Sequence, residues 1–376
     1  VTRAVDVLLA ARNPAILVGS RVVERGAAGE LIAVAERLGA PVFSEPGTTH
    51  GRLSFPADHP LYAQGLPLWS PELRERLAEF DAVLVVGMDL FRQYVYHEPS
   101  RAMPEHVKIV HLDEDPQQLG KNYRLAVGLW GGTKAGLAAL DALLAARMSA
   151  EQVATAKTRT ESLAAIHRAA RERLAQKAES DRAVRPMTSL AAMSALAKVL
   201  PANVAVIEEA VTTTNTTFER LGALKNTTGY FGHRGWGLGW GLGTAIGVRL
   251  AWPDRPVLAL LGDGAALYGI QGLWSAAHYR IPVTFVICNN AQYKILKIGA
   301  VNMGLEEARR GRFLGMDIAA PEIDFVGLAQ SFGVRAERIT EPDQLSELAS
   351  QSLAGNEPRL FDVQISRKMQ PRLEYG

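Results

Sequence analysis

Two short polar clusters stand at the ends of apolar runs, Gly262-Asp263-Gly264 and, further along, Asn289-Asn290. Asp263 offers a hard carboxylate oxygen and Asn290 an amide oxygen. Gly262 and Gly264 let the backbone approach an anion at the start of a following helix. Oxygens of this kind suit Mg²⁺, which takes few protein ligands and completes its shell with phosphate and water. The chemistry suggested is a metal-clamped diphosphate. The other reading, an ordinary turn between strand and helix, needs no ligand at all.

Those residues must be held by the elements around them. The run 257–261 (VLALL) reads as a buried parallel strand, because five consecutive apolar residues lead into a glycine turn. A helix is predicted over 265–280, and a second apolar run, 283–288, delivers Asn289-Asn290 at its carboxyl end. Ligands of open α/β sheets sit beyond the carboxyl ends of strands, and both clusters fall at such ends. The same alternation fills the rest of the chain. Strands are predicted at 15–19, 41–43, 82–87 and 108–112, with a helix at 29–38. After residue 187 the pattern gives a helix at 188–200, a strand at 204–207, a helix at 324–332 and a strand at 360–365. The fold class expected is α/β, with two Rossmann-like, doubly wound parallel-sheet domains at 1–146 and 187–376. Residues 147–186, charged and alanine-rich, read as an exposed helical connector. Gly19 and Gly87 close strands, which leaves a dinucleotide site or a plain tight turn; neither begins a GxGxxG.

Composition narrows the function classes. A chain of 376 residues is too long for one ordinary core. Its 48% apolar and 21% charged content is that of a soluble globular protein. A net charge of +2, with no basic patch interleaved with aromatics, gives no sign of a nucleic-acid partner. No apolar run reaches membrane-spanning length. Cys288 is the single cysteine, so no intrachain disulfide can form, which fits a cytoplasmic location.

The segment LLGDGAALYGIQGLWSAAHYRIPVTFVICNNAQY, with GDG and NN at this spacing, resembles the thiamine-diphosphate-binding signature of benzoylformate decarboxylase and acetolactate-synthase-like enzymes. The resemblance implies thiamine diphosphate and Mg²⁺ as cofactors, the metal held by Asp263, Asn290 and the backbone carbonyl of Gln292. It places Gly262, Gly264 and Ala265 at the diphosphate together with Tyr293, which could equally be a core aromatic. In the glycine-rich stretch 235–243, Leu238 takes the place of the bulky residue that bends the cofactor into a V. Trp236 stands where the family has a glycine whose carbonyl accepts from the 4′-amino group. Thr212 matches a second diphosphate contact, or else one of the threonines 212–214 simply caps a helix. Ile295, Leu296 and Gly299 fall along the substrate cavity, and 299–315 resembles a mobile covering loop. His97 and His233 are candidates for proton transfer, each otherwise a histidine satisfied by backbone.

The function implied is nonoxidative decarboxylation of an aromatic or branched 2-oxo acid. An acetolactate-synthase-like carboligase shares every motif, and a non-catalytic scaffold remains the alternative of another class. Family members have three domains, and the expectation is that the first, which binds the pyrimidine and carries the catalytic glutamate, is absent here. The chain alone is then expected to be inactive. A homodimer or homotetramer through the cofactor interface is implied, with Leu238, Trp236 and Trp240 near an exposed apolar patch. FAD is not expected, since 87–93 (GMDLFRQ) lacks the paired aspartates that follow an arginine in flavin-holding synthases.

Overall fold

The computed structural model describes residues 1–45, 51–67, 69–91, 101–232, 235 and 237–369. The chain divides into two compact units, 1–172 and from 173 onward. Each is built on a six-stranded parallel sheet with flanking helices, as the α/β reading requires. Among the described residues no helix is long and apolar enough to cross a membrane.

In the first unit the strands are β1 (Pro14–Val18), β2 (Val42–Ser44), β3 (Tyr62–Gly65), β4 (Ala82–Val86), β5 (Lys108–Asp113) and β6 (Val127–Trp130), in the order β3-β2-β1-β4-β5-β6. β1 and β4 are buried along their whole length, which explains their unbroken apolar sequence. The order reverses between β1 and β4, where a nucleotide would sit in this topology. Packing accounts for both glycines there. A Cβ on Gly19 would lie 2.4 Å from the Gly87 carbonyl oxygen, and Gly87 turns at φ +59°. Arg21 then spans the crevice, donating to Asp89 at 3.0 Å and to Asp113 at 2.7 Å.

Asp113 is fully buried, with His111 Nε2 at 3.6 Å. Burial pushes its carboxyl up, but His111, the Asp115 amide and Arg21 outweigh that and hold it below the usual carboxylate range. A group depressed in the folded state adds stability above its unfolded pKa and loses it as pH falls through the folded value. Arg21→Met should therefore cost about 3 kcal/mol at neutral pH, because it leaves a buried charge unpaired. The gap from wild type should close as acid protonates Asp113. Chemical denaturation across pH tests this; a gap that ignores pH would contradict it.

The 31-residue helix Ala150–Ser180 is more than a tether. Its first part packs on the first unit: Arg159 donates to the Arg12 carbonyl at 3.0 Å and Arg171 to that of Ala57 at 2.6 Å. A Cβ on Gly39 would meet the Ala156 carbonyl oxygen at 2.2 Å, so glycine is needed beneath the helix.

The second unit holds β7 (Ala205–Glu209), β8 (Tyr230–Gly232), β9 (Val257–Gly262), β10 (Thr284–Asn289), β11 (Arg335–Ile339) and β12 (Arg359–Gln364), in the order β11-β12-β10-β9-β7-β8. Its core lies between this sheet and the helices Trp240–Ala251, Gly272–His278 and Phe325–Ser331. The helix expected over 265–280 is instead two, Asp263–Ala266 and Gly272–His278. The break is a packing requirement: Cβ atoms on Gly269 and Gly272 would lie 2.7 Å from the Gly239 carbonyl oxygen and 2.3 Å from Leu242. The stretch 299–315 also differs from a simple loop, since it carries the end of helix Lys294–Asn302 and the turn of helix Glu306–Arg309.

Candidate active site

β9 and β10 are parallel neighbours with Gly262 opposite Cys288, so Asp263 and Asn290 leave adjacent strand ends together. Asp263 is buried and its carboxylate organises the turn beyond β10. Oδ1 accepts from Gly264 N at 2.7 Å; Oδ2 accepts from Asn290 N at 3.0 Å and Ala291 N at 2.6 Å. Burial pushes this carboxyl up, while amides of Gly264, Ala291, Asn290 and Gln292 pull it back. Ala291 sits at φ +51°, a left-handed conformation that costs a non-glycine residue roughly 1 kcal/mol. Its amide bonds to Asp263 and to Asn289 Oδ1, at 3.1 Å, hold it there.

Asn290 Oδ1 is buried without a hydrogen-bond partner. Such an acceptor costs about 1–3 kcal/mol unless something binds it. Beside it the Gln292 side chain is tied at both ends, donating to the Arg367 carbonyl at 2.8 Å and accepting from Lys297 Nζ at 2.9 Å. Its backbone carbonyl takes one bond, from Lys294 N at 2.9 Å, and keeps a second lone pair. The Asp263 carboxylate, the orphaned Asn290 amide oxygen and the Gln292 carbonyl are all hard oxygen donors following the ends of β9 and β10. That set fits Mg²⁺ supplied with phosphate oxygens. Among the described residues no cluster of three His, Cys, Asp or Glu offers another metal centre.

Gly264 packs under Tyr293, whose ring would meet an added Cβ at 2.7 Å, and Tyr293 gives its amide to the Met316 carbonyl at 2.9 Å. Gly262 precedes the turn without steric demand, its added Cβ finding the Glu209 carbonyl oxygen at an ordinary 3.5 Å; Ala265 follows in the short helix Asp263–Ala266. In the glycine-rich stretch only some glycines are required. Gly239 adopts φ +89° and Gly241 packs on Glu209, whereas Gly235, Gly237 and Gly243 face open space. Leu238 is 55% exposed, and Trp240 is partly buried against the core. Ile295 and Leu296 are exposed on helix Lys294–Asn302, and Gly299 beside them has open space where a side chain would be. Thr212 does not cap the helix Val211–Thr214, which starts from Ala210; it lines a cleft of about 410 Å³ with Lys294 and Ser366. His97, His233 and Trp236 lie outside the described residues. Cys288 is fully buried, and burial pushes its thiol far above the reactive range.

Sequence reading gave no role to Glu208 and Glu209, both buried at the end of β7. Glu208 is satisfied by the hydroxyls of Thr214 and Tyr230. Glu209 accepts from Gly239 N at 2.6 Å and Gly241 N at 2.9 Å. Their only signal was charge directly following an apolar strand.

Residues 1–140 match the model of the thiamine pyrophosphate enzyme central domain, and residues 210–363 that of the C-terminal TPP binding domain. The chain belongs to the thiamine-diphosphate-dependent enzyme family. It is 31% identical to a benzoylformate decarboxylase of Pseudomonas aeruginosa over 94% of its own length and 61% of that protein's. A probable acetolactate synthase large subunit of Methanocaldococcus jannaschii is 27% identical over 97% of the chain and 59% of its own length. A solved thiamine diphosphate-dependent 4-hydroxybenzoylformate decarboxylase from Rhodococcus jostii RHA1 superposes with a TM-score of 0.81, at 26% identity, covering 99% of this chain and 64% of that one. The chain thus spans about three fifths of these relatives.

Proposed function

We propose that the whole protein is a cytoplasmic, Mg²⁺- and thiamine-diphosphate-dependent decarboxylase of aromatic or branched 2-oxo acids. The observation that carries this reading is the orphaned, buried Asn290 Oδ1, on a residue whose backbone amide already donates to the Asp263 carboxylate. Asp263, Asn290 and the Gln292 carbonyl would hold the metal. Gly264 would let the backbone approach the diphosphate, and Leu238 would press the cofactor into its bent form. When bound, thiamine diphosphate supplies the nucleophilic carbon and the electron sink that loss of CO₂ from a 2-oxo acid needs. Ile295 and Leu296 would give the substrate an apolar wall that excludes water. Their apolar character, and likeness to two aromatic decarboxylases, favour an aromatic or branched side chain.

The likeness to an acetolactate synthase supports a second reading, carboligation. The two differ in the fate of the decarboxylated adduct. Incubating the whole protein with a panel of 2-oxo acids, with and without a second carbonyl acceptor, separates them: aldehyde release is expected, and acceptor-dependent ketol formation would favour the synthase. Residues 1–376 alone, which span about three fifths of the relatives' length, should be silent in the same assay, and turnover above an Asp263→Ala control would contradict this. We place the cofactor site at a homodimer or homotetramer interface on the face carrying Leu238, 55% exposed.

No flavin is expected. Arg21, bridging Asp89 and Asp113, stands across the crevice of the first unit where a nucleotide would lie. Purified whole protein should lack a flavin absorbance band, and a near-stoichiometric band would overturn this.

A further inference from the structure

Along β7 side chains alternate between the two faces of the sheet. Ala205 and Ile207 lie in the core against Leu242, Ala245 and Val248 of helix Trp240–Ala251. Glu209, next on the same face, reaches the amino end of that helix. The first amides of a helix have no partner within it, and here the capping residue is Gly239, which has no side chain to offer. The Glu209 carboxylate fills the gap, taking Gly239 N and Gly241 N on separate oxygens, with the Trp240 amide directed to it as well. Its charge also faces the positive end of the helix dipole. From the other side Gly239 is pressed by the 268–269 turn, since a Cβ there would lie 2.5 Å from Tyr268 Cβ. The backbone that carries Leu238 is therefore fixed on both sides.

We propose that Glu209 is a positioning residue that sets the projection of Leu238 against the cofactor, a role that rests on the thiamine-diphosphate reading above. The Glu209 carboxylate bonds the 239–241 amides, whereas the amides of Gly264, Asn290 and Ala291 bond Asp263, so loss of the carboxylate should separate two affinities. In the whole protein, Glu209→Gln puts an amide N–H against backbone N–H groups and removes the charge. Binding of thiamine diphosphate should weaken about tenfold or more, while Mg²⁺-dependent binding of inorganic diphosphate should stay within about twofold. Amides of Gly239 and Gly241 should lose hydrogen-exchange protection even without cofactor. Leu238→Ala should weaken thiamine diphosphate in wild type and add nothing in the Gln variant. Gly241→Ala, whose methyl would meet Glu209 Oε2 at 2.7 Å, should reproduce the pattern without touching the glutamate. Parallel loss of both affinities, additive effects with Leu238→Ala, or an unchanged Gln variant would overturn the role of Glu209 alone. Wild type that protects these amides yet fails to bind thiamine diphosphate would overturn the cofactor reading and this role together.

Discussion

Asp263→Ala should weaken Mg²⁺-dependent binding of thiamine diphosphate by the whole protein at least about a hundredfold, or roughly 2.7 kcal/mol. The carboxylate is the one formal charge in the proposed donor set. The substitution should also loosen the turn, because amides of Gly264, Asn290 and Ala291 lose their acceptor. Each orphaned amide costs about 1–3 kcal/mol if it stays dry, so a lower melting temperature is expected beside the lost affinity. Asp263→Asn, which keeps the shape but not the charge, should lose the metal response with a smaller loss of stability. Calorimetric titration and thermal melts of both variants test this. Retention of Mg²⁺-dependent affinity in either would contradict the assignment.

Asn290→Leu should do something different, because its amide oxygen is unsatisfied before any ligand arrives. Removing a buried, unpartnered acceptor relieves a desolvation cost of about 1–3 kcal/mol, which packing changes offset in part. The apo protein should be as stable as wild type or more so, while its stabilisation by Mg²⁺ and thiamine diphosphate disappears. A structural asparagine would behave oppositely, losing stability with ligand response intact. Melting temperatures of wild type and variant, with and without ligands, distinguish the two.

The sheets and the strand-end cluster were legible because local rules and tertiary structure agree there. β9 and β10 are apolar runs bounded by glycine and asparagine, and burial on both faces needs no more information than that. Where the outcome depends on distant contacts, the sequence was mute. The break between helices Asp263–Ala266 and Gly272–His278 exists because the backbone at Gly269 meets Gly239, and no local signal separates such a glycine from one tolerated within a helix. β3 (YAQG) and β6 (VGLW) are too short and mixed to stand out from a turn. The sequence pattern ends β7 before Glu208, since two carboxylates look like solvent-exposed residues. They are buried, and the partners of Glu209 lie 30 and 32 positions further along. In the glycine-rich stretch the sequence shows one regular pattern, but among the described residues only Gly239 and Gly241 of it are closely packed.

If Asp263 and Asn290 share one metal ion that clamps the diphosphate, calorimetric titration of the whole protein with thiamine diphosphate, with Mg²⁺ and with chelator, in wild type and Asp263→Ala, should show it. Near-stoichiometric binding that requires the metal and is lost in the variant is the expected result. Binding that persists with chelator, survives in Asp263→Ala, or never occurs in wild type would contradict it.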